Sequence, residues 1–117
     1  MEMNSRDVRG VAVVDLVGRL TSSDNAGALG ARVVRLMSEG HTQLVLNLSM
    51  VSYMDSSGLG EMISCYSQVR KAGGSIRLAQ TTARMQDLLA LTRLLMIFDS
   101  YETEELALAS FAPSATA

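Results

Sequence analysis

The chain has 117 residues, the length of a single domain, and its 48% hydrophobic and 19% charged residues are typical of a globular protein. A net charge of -2 without a basic run argues against a nucleic-acid partner, and a single Cys excludes an internal disulfide or a zinc cluster. Since no apolar run reaches the roughly 18 residues of a membrane helix and the start lacks the apolar core of a signal peptide, we expect a cytoplasmic protein without membrane insertion.

The first elements are predicted to be two strands. Residues 1–10 are polar and can hold a short edge strand that ends at Gly10. Val11–Val17 is rich in Val and apolar on both faces, which predicts a strand covered on both sides. Gly18 is expected to end this strand.

A helix is predicted to follow. Ser23, Asp24 or Asn25 can cap its start, because short polar side chains accept hydrogen bonds from the first helical N–H groups. Gly40 is expected to close it. Its apolar residues recur at helical spacing: Ala26, Leu29, Val33, Leu36 and Met37.

The middle of the chain predicts a strand, a loop and an amphipathic helix. The strand covers Gln43–Leu48, and a polar loop leads from it to the helix. Gly73-Gly74 ends the helix and turns the chain into a strand over Ser75–Ala79. One face of the helix is apolar: Leu59, Met62, Ile63, Tyr66 and Val69.

The last part predicts a helix, a strand and a final helix. Thr81 or Thr82 caps the first of these helices, and Leu95–Phe98 is the candidate strand. The final helix begins at Ser100 or Thr103. The inward residues of the first helix are Met85, Leu88, Leu89 and Leu91.

Strands that alternate with helices predict an α/β fold. We expect one domain over residues 1–117, with its core at about 11–109 and a frayed tail at 110–117. Its sheet is expected to be mixed and mostly parallel, with about four or five strands packed with about four helices.

The loop before the central helix carries Asp55, Ser56, Ser57 and Gly58. A helix start has unpaired N–H groups and a partial positive charge, so its hydroxyls lie in a setting suited to an anion. The simplest interpretation is that Ser56 and Ser57 cap the helix, and one hydroxyl can cap while the other faces solvent. Asp55 is first of all a cap or a local hydrogen-bond acceptor, and otherwise orients the Ser56 hydroxyl or contacts a partner. Gly58 permits close packing or the close approach of a partner.

The residues give little support for catalysis. A nucleophile elbow centred on Ser56 would need Gly at position 54, where the chain has Met54. The sole histidine, His41, is interpreted as a surface turn residue and Cys65 as a half-buried structural thiol. We expect no enzyme activity, no cofactor and no metal site. Met54 and Met62 are either core filler or an adaptable contact surface.

Four short motifs in this order resemble the STAS domains, most closely the single-domain anti-sigma factor antagonists of bacteria. They are Gly18-Arg19-Leu20, Asn47-Leu48-Ser49, the run from Met54 to Gly60, and Gly73-Gly74. The resemblance implies that Ser56 is phosphorylated by an anti-sigma factor that is an ATP-dependent serine kinase. It also implies that the unphosphorylated chain binds this kinase and frees a sigma factor, and that a serine phosphatase acts on phosphorylated Ser56.

The resemblance further implies a partner surface around this loop, with Ser57 as the second choice for phosphorylation. An alternative is a STAS subunit of a lipid-transport ABC system, or another scaffold without a phosphate cycle. A third class is a small hydrolase that uses Ser56. For the antagonist we expect a monomer. The candidate partner-binding residues are Asp55, Ser56, Ser57, Gly58, Leu59, Met62, Leu20, Thr21, Ser22 and Asp24.

Two residues depart from the family pattern. Asn47 stands where the family often has Asp, which removes one charge near the loop. Arg93 stands where the family often has the Gly of a Thr-Gly-Leu motif. In a left-handed conformation Arg93 would cost about 1 kcal/mol more than Gly.

Overall fold

The computed structural model describes residues 2–21, 27–83, 86–87 and 99–111 of the chain. Five strands lie in one sheet in chain order, with β1 antiparallel to β2 and the remaining neighbours parallel. This confirms the predicted mixed, mostly parallel α/β sheet. The strands are β1 (Glu2–Val8), β2 (Val11–Leu20), β3 (Gln43–Met54), β4 (Ser75–Ala79) and β5 (Asp99–Tyr101), and the described helices are α1 (Ala28–Ser38), α2 (Ser56–Lys71) and α3 (Glu104–Ala109).

The two faces of the sheet have different covers. On one face α1 and α2 enclose the larger core cluster, whose fully buried residues include Leu16, Leu29, Leu46 and Met62. On the other face the short α3 covers a smaller cluster that includes Val13, Val45 and Leu108. The run Val11–Val14 is buried throughout, as its apolar character on both faces predicts.

Two strands are longer than the sequence indicates. Gly18 has a φ of 109° and does not end β2, which continues to Leu20. The polar residues from Ser49 onward extend β3 to Met54 and do not form the predicted loop. Two register shifts lie in this part of the β2–β3 pair. A β-bulge places an extra residue in one strand without ending the pairing, which explains why polar residues remain in the sheet.

The helix ends follow the glycine signals. Gly40 has a φ of 96°, and the N–H of His41 donates to the carbonyl of Leu36 at 3.0 Å. Gly73 has a φ of 83°, and the N–H of Gly74 closes α2 with the corresponding bond at 2.9 Å. Both are Schellman motifs, in which glycine adopts the left-handed conformation at no cost from a Cβ atom. The predicted ends at Gly40 and Gly73-Gly74 are therefore confirmed.

The start of α1 differs from the prediction. Its N-cap is Gly27, with a φ of 82° and no side-chain cap, so the helix begins after the predicted caps. Those caps, Ser23, Asp24 and Asn25, lie outside the described residues together with Ala26.

The last part of the chain is described only in pieces. Thr103 caps α3 through the N–H of Leu106 at 3.1 Å, as predicted, whereas Ser100 lies in β5 and does not start the helix. Phe111 is partly buried against the smaller cluster, with the guanidinium of Arg77 4.0 Å from its ring centroid, so the fold extends beyond residue 109. Most of the predicted third helix, which follows Thr81 and Thr82, lies outside the described part of the chain, as do the strand Leu95–Phe98, the Arg93 position and residues 112–117.

Candidate functional site

Asp55 connects β3 directly to α2 and forms the N-cap of that helix. Its backbone is extended, and its carboxylate accepts the N–H of Gly58 at 2.8 Å. Its carbonyl accepts the N–H of Leu59 at 3.0 Å, the first bond of the helix. A carboxylate at this position satisfies one unpaired donor and complements the helix dipole. The cap interpretation is therefore confirmed for Asp55 and wrong for Ser56 and Ser57.

Ser56 and Ser57 form the first residues of α2, and both are exposed. Neither hydroxyl forms a hydrogen bond with another described residue. The first turn of α2 contains no acidic residue, so both hydroxyls lie in the positive potential of the helix start. Each hydroxyl is thus accessible to another molecule, in a place where an added anion is tolerated.

Gly58 lies against the end of β2. A Cβ atom at this residue would be 2.0 Å from the carbonyl oxygen of Leu20, which is a backbone atom. The N–H of Asp55 donates to the same carbonyl at 3.3 Å. Of the two interpretations of Gly58, the structure supports close packing within the chain.

Several candidate partner-binding residues are buried beneath the loop. Leu20 and Met62 are 0% exposed, and Thr21, Gly58 and Leu59 are also buried. Their side chains pack the helix start onto the strand ends and present almost no surface, so the burial argues against direct contact between these side chains and a partner. The reason is that β2 continues to Leu20, so this residue faces the core between the sheet and α2.

The remaining candidate residues around the loop are either buried, outside the described residues, or exposed. Met54 is buried with Met62, so core filler is the correct interpretation of both and the contact-surface alternative is wrong. Ser22 and Asp24 lie outside the described residues. The candidates with exposed or partly exposed side chains are Asp55, Ser56 and Ser57.

Glu61 links the first turns of the two neighbouring helices. Its Oε2 accepts the N–H of Gly30 at 3.2 Å, in the first turn of α1. Since α1 has no side-chain cap and no acid in its own first turn, Glu61 provides the negative charge that this helix start favours. Glu61 follows Ser57 by one helical turn. Gly60 follows Ser56 by the same distance, and the space where its side chain would lie is open.

A second polar cluster lies on the α3 face of the sheet. Asn47 donates from Nδ2 to Gln80 Oε1 at 2.8 Å and to Glu104 Oε1 at 3.0 Å. Arg6 pairs with Asp15 at 2.7 Å and with Glu104 at 2.6 Å. The Arg6 guanidinium holds the pKa of Glu104 below its usual value, with a smaller contribution from Asn47. The amide of Asn47 therefore stabilises this cluster, because its nitrogen donates a hydrogen bond to the Glu104 carboxylate.

The other reactive side chains take no part in the loop's hydrogen bonds. Cys65 is fully buried and not half-buried as predicted, and burial raises the pKa of its thiol to about 12. His41 is partly exposed between α1 and β3. Within the described ranges no group of three or more His, Cys, Asp and Glu residues could hold a metal ion. No helix described here is long and apolar enough to cross a membrane.

An exposed apolar pair lies on the extended part of β3, where the sequence pattern predicts a loop. Met50 is 63% exposed and Tyr53 is 43% exposed, and the guanidinium of Arg19 lies 5.5 Å from the ring centroid of Tyr53. These residues fall in the stretch assigned to a loop. The signal was present in the apolar residues Met50, Val51, Tyr53 and Met54, which are spaced as a strand with one extra residue.

Comparison with known proteins places this geometry in a family. A family model described as the STAS domain matches residues 2–107. The anti-sigma-B factor antagonist of Bacillus subtilis (strain 168) is 32% identical over 99 residues, which cover 85% of each chain.

Solved structures share the fold. The crystal structure of tm1081 from Thermotoga maritima has a TM-score of 0.87 at 23% identity and covers 95% of each chain. The phosphorylated form of the Bacillus cell fate determinant SpoIIAA has a TM-score of 0.72 at 22% identity, covering 93% of this chain and 98% of that one. At these identities the two structures show likeness of fold alone.

Proposed function

The chain belongs to the STAS domain family, and on that premise we propose that it is an anti-sigma factor antagonist controlled by phosphorylation of Ser56. In this proposal the unphosphorylated chain binds an anti-sigma factor serine kinase in the cytoplasm and frees a sigma factor. Phosphorylation releases the kinase, and a serine phosphatase restores the binding form. The 32% identity to a protein named anti-sigma-B factor antagonist supports the choice of partner.

The single observation that carries the proposal is the accessible hydroxyl of Ser56 beside the capping Asp55. Because Asp55 binds the N–H of Gly58, Ser56 makes no contribution to the helix cap. A phosphate adds a charge of about -1.5 to -2 at neutral pH. The helix dipole favours such an anion by about 0.3–1 kcal/mol, so phosphorylated Ser56 leaves the fold intact.

The two adjacent serines are not equivalent as phosphate carriers. A phosphate on Ser57 would lie one turn before Glu61, whose carboxylate is held at the start of α1. Like charges at this spacing destabilise a helix by about 0.2–0.5 kcal/mol. A phosphate on Ser56 would instead lie one turn before Gly60, which has no side chain. Asp55 in turn lies directly before Ser56, so repulsion alone does not decide between the two serines, and the choice of Ser56 rests on its place directly after Asp55 in the motif.

The switch in this proposal acts on the partner. A kinase surface packed on the small neutral hydroxyl of Ser56 would meet a phosphate that must lose its water. Burial of an unpaired charge costs several kcal/mol, and each 1.4 kcal/mol weakens affinity tenfold. A local change of charge is therefore sufficient for release, without any rearrangement of the antagonist. The chain itself needs no catalytic group, and we propose that it is not an enzyme.

The test begins with the immobilised chain and a lysate of its host. A kinase that is retained without nucleotide and released by ATP is purified, incubated with the chain and ATP, and the phosphate is located by mass spectrometry. We expect phosphate on Ser56 of the parent and of Ser57→Ala. Ser56→Ala should bind the kinase and resist release by ATP. Phosphate on Ser57 would refute the assignment of Ser56, and a chain that binds no such kinase would refute the proposed function.

A further inference from the structure

No large apolar side chain is fully exposed on α2, so this helix offers a partner few apolar anchors. A specific interface buries about 800 Å² on each side, and its centre is enriched in aromatic residues, Met and Arg. If the kinase binds at Ser56, as proposed above, it must find such residues close to this helix. One such pair lies on α2 itself, where the guanidinium of the exposed Arg70 is 6.0 Å from the ring centroid of the partly exposed Tyr66. The exposed residues of α2 are otherwise small or polar: Ser56, Ser57, Gly60, Ser64, Ser67, Gln68 and Lys71.

Residues of the required types lie on the extended ends of β2 and β3. We use the name β2–β3 patch for Arg19, Met50 and Tyr53. The strand register pairs Arg19 with Tyr53, and the guanidinium lies near the Tyr53 ring. Among the described residues, only two other large apolar side chains are exposed, Val34 on α1 and Leu106 on α3.

The patch faces away from the helix that carries Ser56. Val51 and Met54 belong to the core cluster under α1 and α2, so their chain neighbours Met50 and Tyr53 point to the opposite face. The smaller cluster under α3 includes Val45 of β3 and none of its residues after Asn47. The strand ends are therefore left exposed on this face.

The patch is continuous with the phosphorylation site through the chain itself. Tyr53 precedes Ser56 by three residues, so their Cα atoms are at most about 11 Å apart. A partner that covers the end of the sheet contacts the Ser56 hydroxyl on one side and the patch on the other. We propose that the β2–β3 patch is a second docking surface for the same anti-sigma factor kinase. The complementary segment of the kinase presents apolar side chains to Met50 and Tyr53.

This division separates affinity from phosphoryl transfer. The patch contributes contact area, but it does not touch the reacting hydroxyl. Loss of the patch should therefore raise Kd and KM for the antagonist and leave kcat unchanged. A residue that only supported the fold near Ser56 would lower kcat as well.

The experiment compares matched surface variants with the purified kinase. The double variant Met50→Ser/Tyr53→Ser removes both apolar side chains, and Val34→Ser/Leu106→Ser removes two of similar exposure from other faces. We expect at least a tenfold increase in Kd and KM for the first double variant, with kcat within twofold of the parent. Arg19→Gln should give a smaller increase in Kd. The control double variant should change neither constant by more than twofold.

Circular dichroism melts identify any variant that fails to fold. If the double variant fails to fold, the single variant Met50→Gln replaces it, because Met50 is the more exposed of the two residues. A Kd within twofold of the parent, or a fall in kcat at constant Kd, would overturn the docking surface. The docking surface would also be overturned if the parent chain is a dimer, the double variant is a monomer, and the Kd for the kinase is the same for both. The patch would then bind a second copy of this chain. A parent chain that fails to bind the kinase at all would instead refute the proposed function.

Discussion

Asn47→Asp should destabilise the protein at neutral pH, although it restores the residue that the family often has at this position. Asn47 is 8% exposed, and its amide nitrogen donates to Gln80 and to Glu104. Its oxygen accepts the N–H of Ser49 at 3.0 Å, and an aspartate can keep only this last bond. The substitution therefore removes two donated bonds and places a second carboxylate beside Glu104.

The magnitude follows from those contacts. A neutral hydrogen bond contributes about 1 kcal/mol and one to a charged group about 1.5–3 kcal/mol, so the lost bonds alone amount to roughly 2.5–4 kcal/mol. Repulsion between the carboxylates adds to this, but Arg6 stays in contact with Glu104 and offsets part of it. Proton uptake limits the total, because protonation of an ordinary carboxyl at pH 7 costs about 4 kcal/mol. We expect a loss of about 2.5–4 kcal/mol.

The pH dependence gives the sharper test. Repulsion from Glu104 raises the pKa of an aspartate at position 47 in the folded state, so the folded variant binds a proton more readily than the unfolded chain. The stability associated with this proton is present at low pH and is lost as the pH rises through the folded pKa. The difference between variant and parent should therefore be larger at pH 7 than at pH 4.5.

Urea denaturation of the parent, Asn47→Asp and Asn47→Ala at the two pH values measures these differences. Asn47→Ala loses the same donated bonds without adding a charge, so its destabilisation should be nearly independent of pH. Combining Asn47→Asp with Glu104→Gln should cost less than the sum of the two single changes. A variant as stable as the parent at pH 7, or one with an equal deficit at both pH values, would refute this account of the cluster.

Three further substitutions test the site itself. Gly58→Ala should destabilise the fold by about 2–3 kcal/mol, because the new Cβ would clash with the fixed carbonyl of Leu20; an unchanged urea midpoint would contradict this packing. Glu61→Gln should cost about 0.3–1 kcal/mol by removing negative charge from the start of α1, where it binds Gly30, and equal midpoints for the two proteins would show that the charge is unimportant. Ser56→Asp should weaken kinase binding by at least tenfold in calorimetry with an unchanged dichroism spectrum; undiminished affinity would place the switch elsewhere, first at Ser57.

Local chemistry made part of the fold predictable. The ends of α1 and α2 follow from Gly40 and Gly73, because a left-handed residue after a helix is a property of a few neighbouring residues. The buried start of β2 follows from its uninterrupted Val-rich run. The start of α1 could not be predicted in this way. The carboxylate that complements the positive end of this helix belongs to Glu61 of α2, which is distant in the sequence.

The extension of β3 could not be predicted for a related reason. The polar residues Ser49 and Ser52 are typical of a loop, and only pairing with the end of β2 keeps them in the sheet. This pairing also buries Leu20 beneath the start of α2, which removes it from the candidate contact surface. The sequence motif singles out Ser56 as a candidate, and the structure shows its exposure, but which neighbouring residues are exposed depends on contacts between distant parts of the chain.

Under the proposed function, the arrangement of Asp55 and Ser56 would let one helix start combine a fixed fold with a reversible switch. Asp55 holds the helix start through the N–H of Gly58, and the absence of a side chain at Gly58 seats that turn on β2. Ser56 takes part in neither contact, so a phosphate there changes the surface and leaves the cap in place. Had Ser56 been the cap, as the sequence first indicated, its phosphorylation would have altered the helix start together with the partner surface. The separation of these roles between adjacent residues is what lets a change of charge at Ser56 act on binding alone.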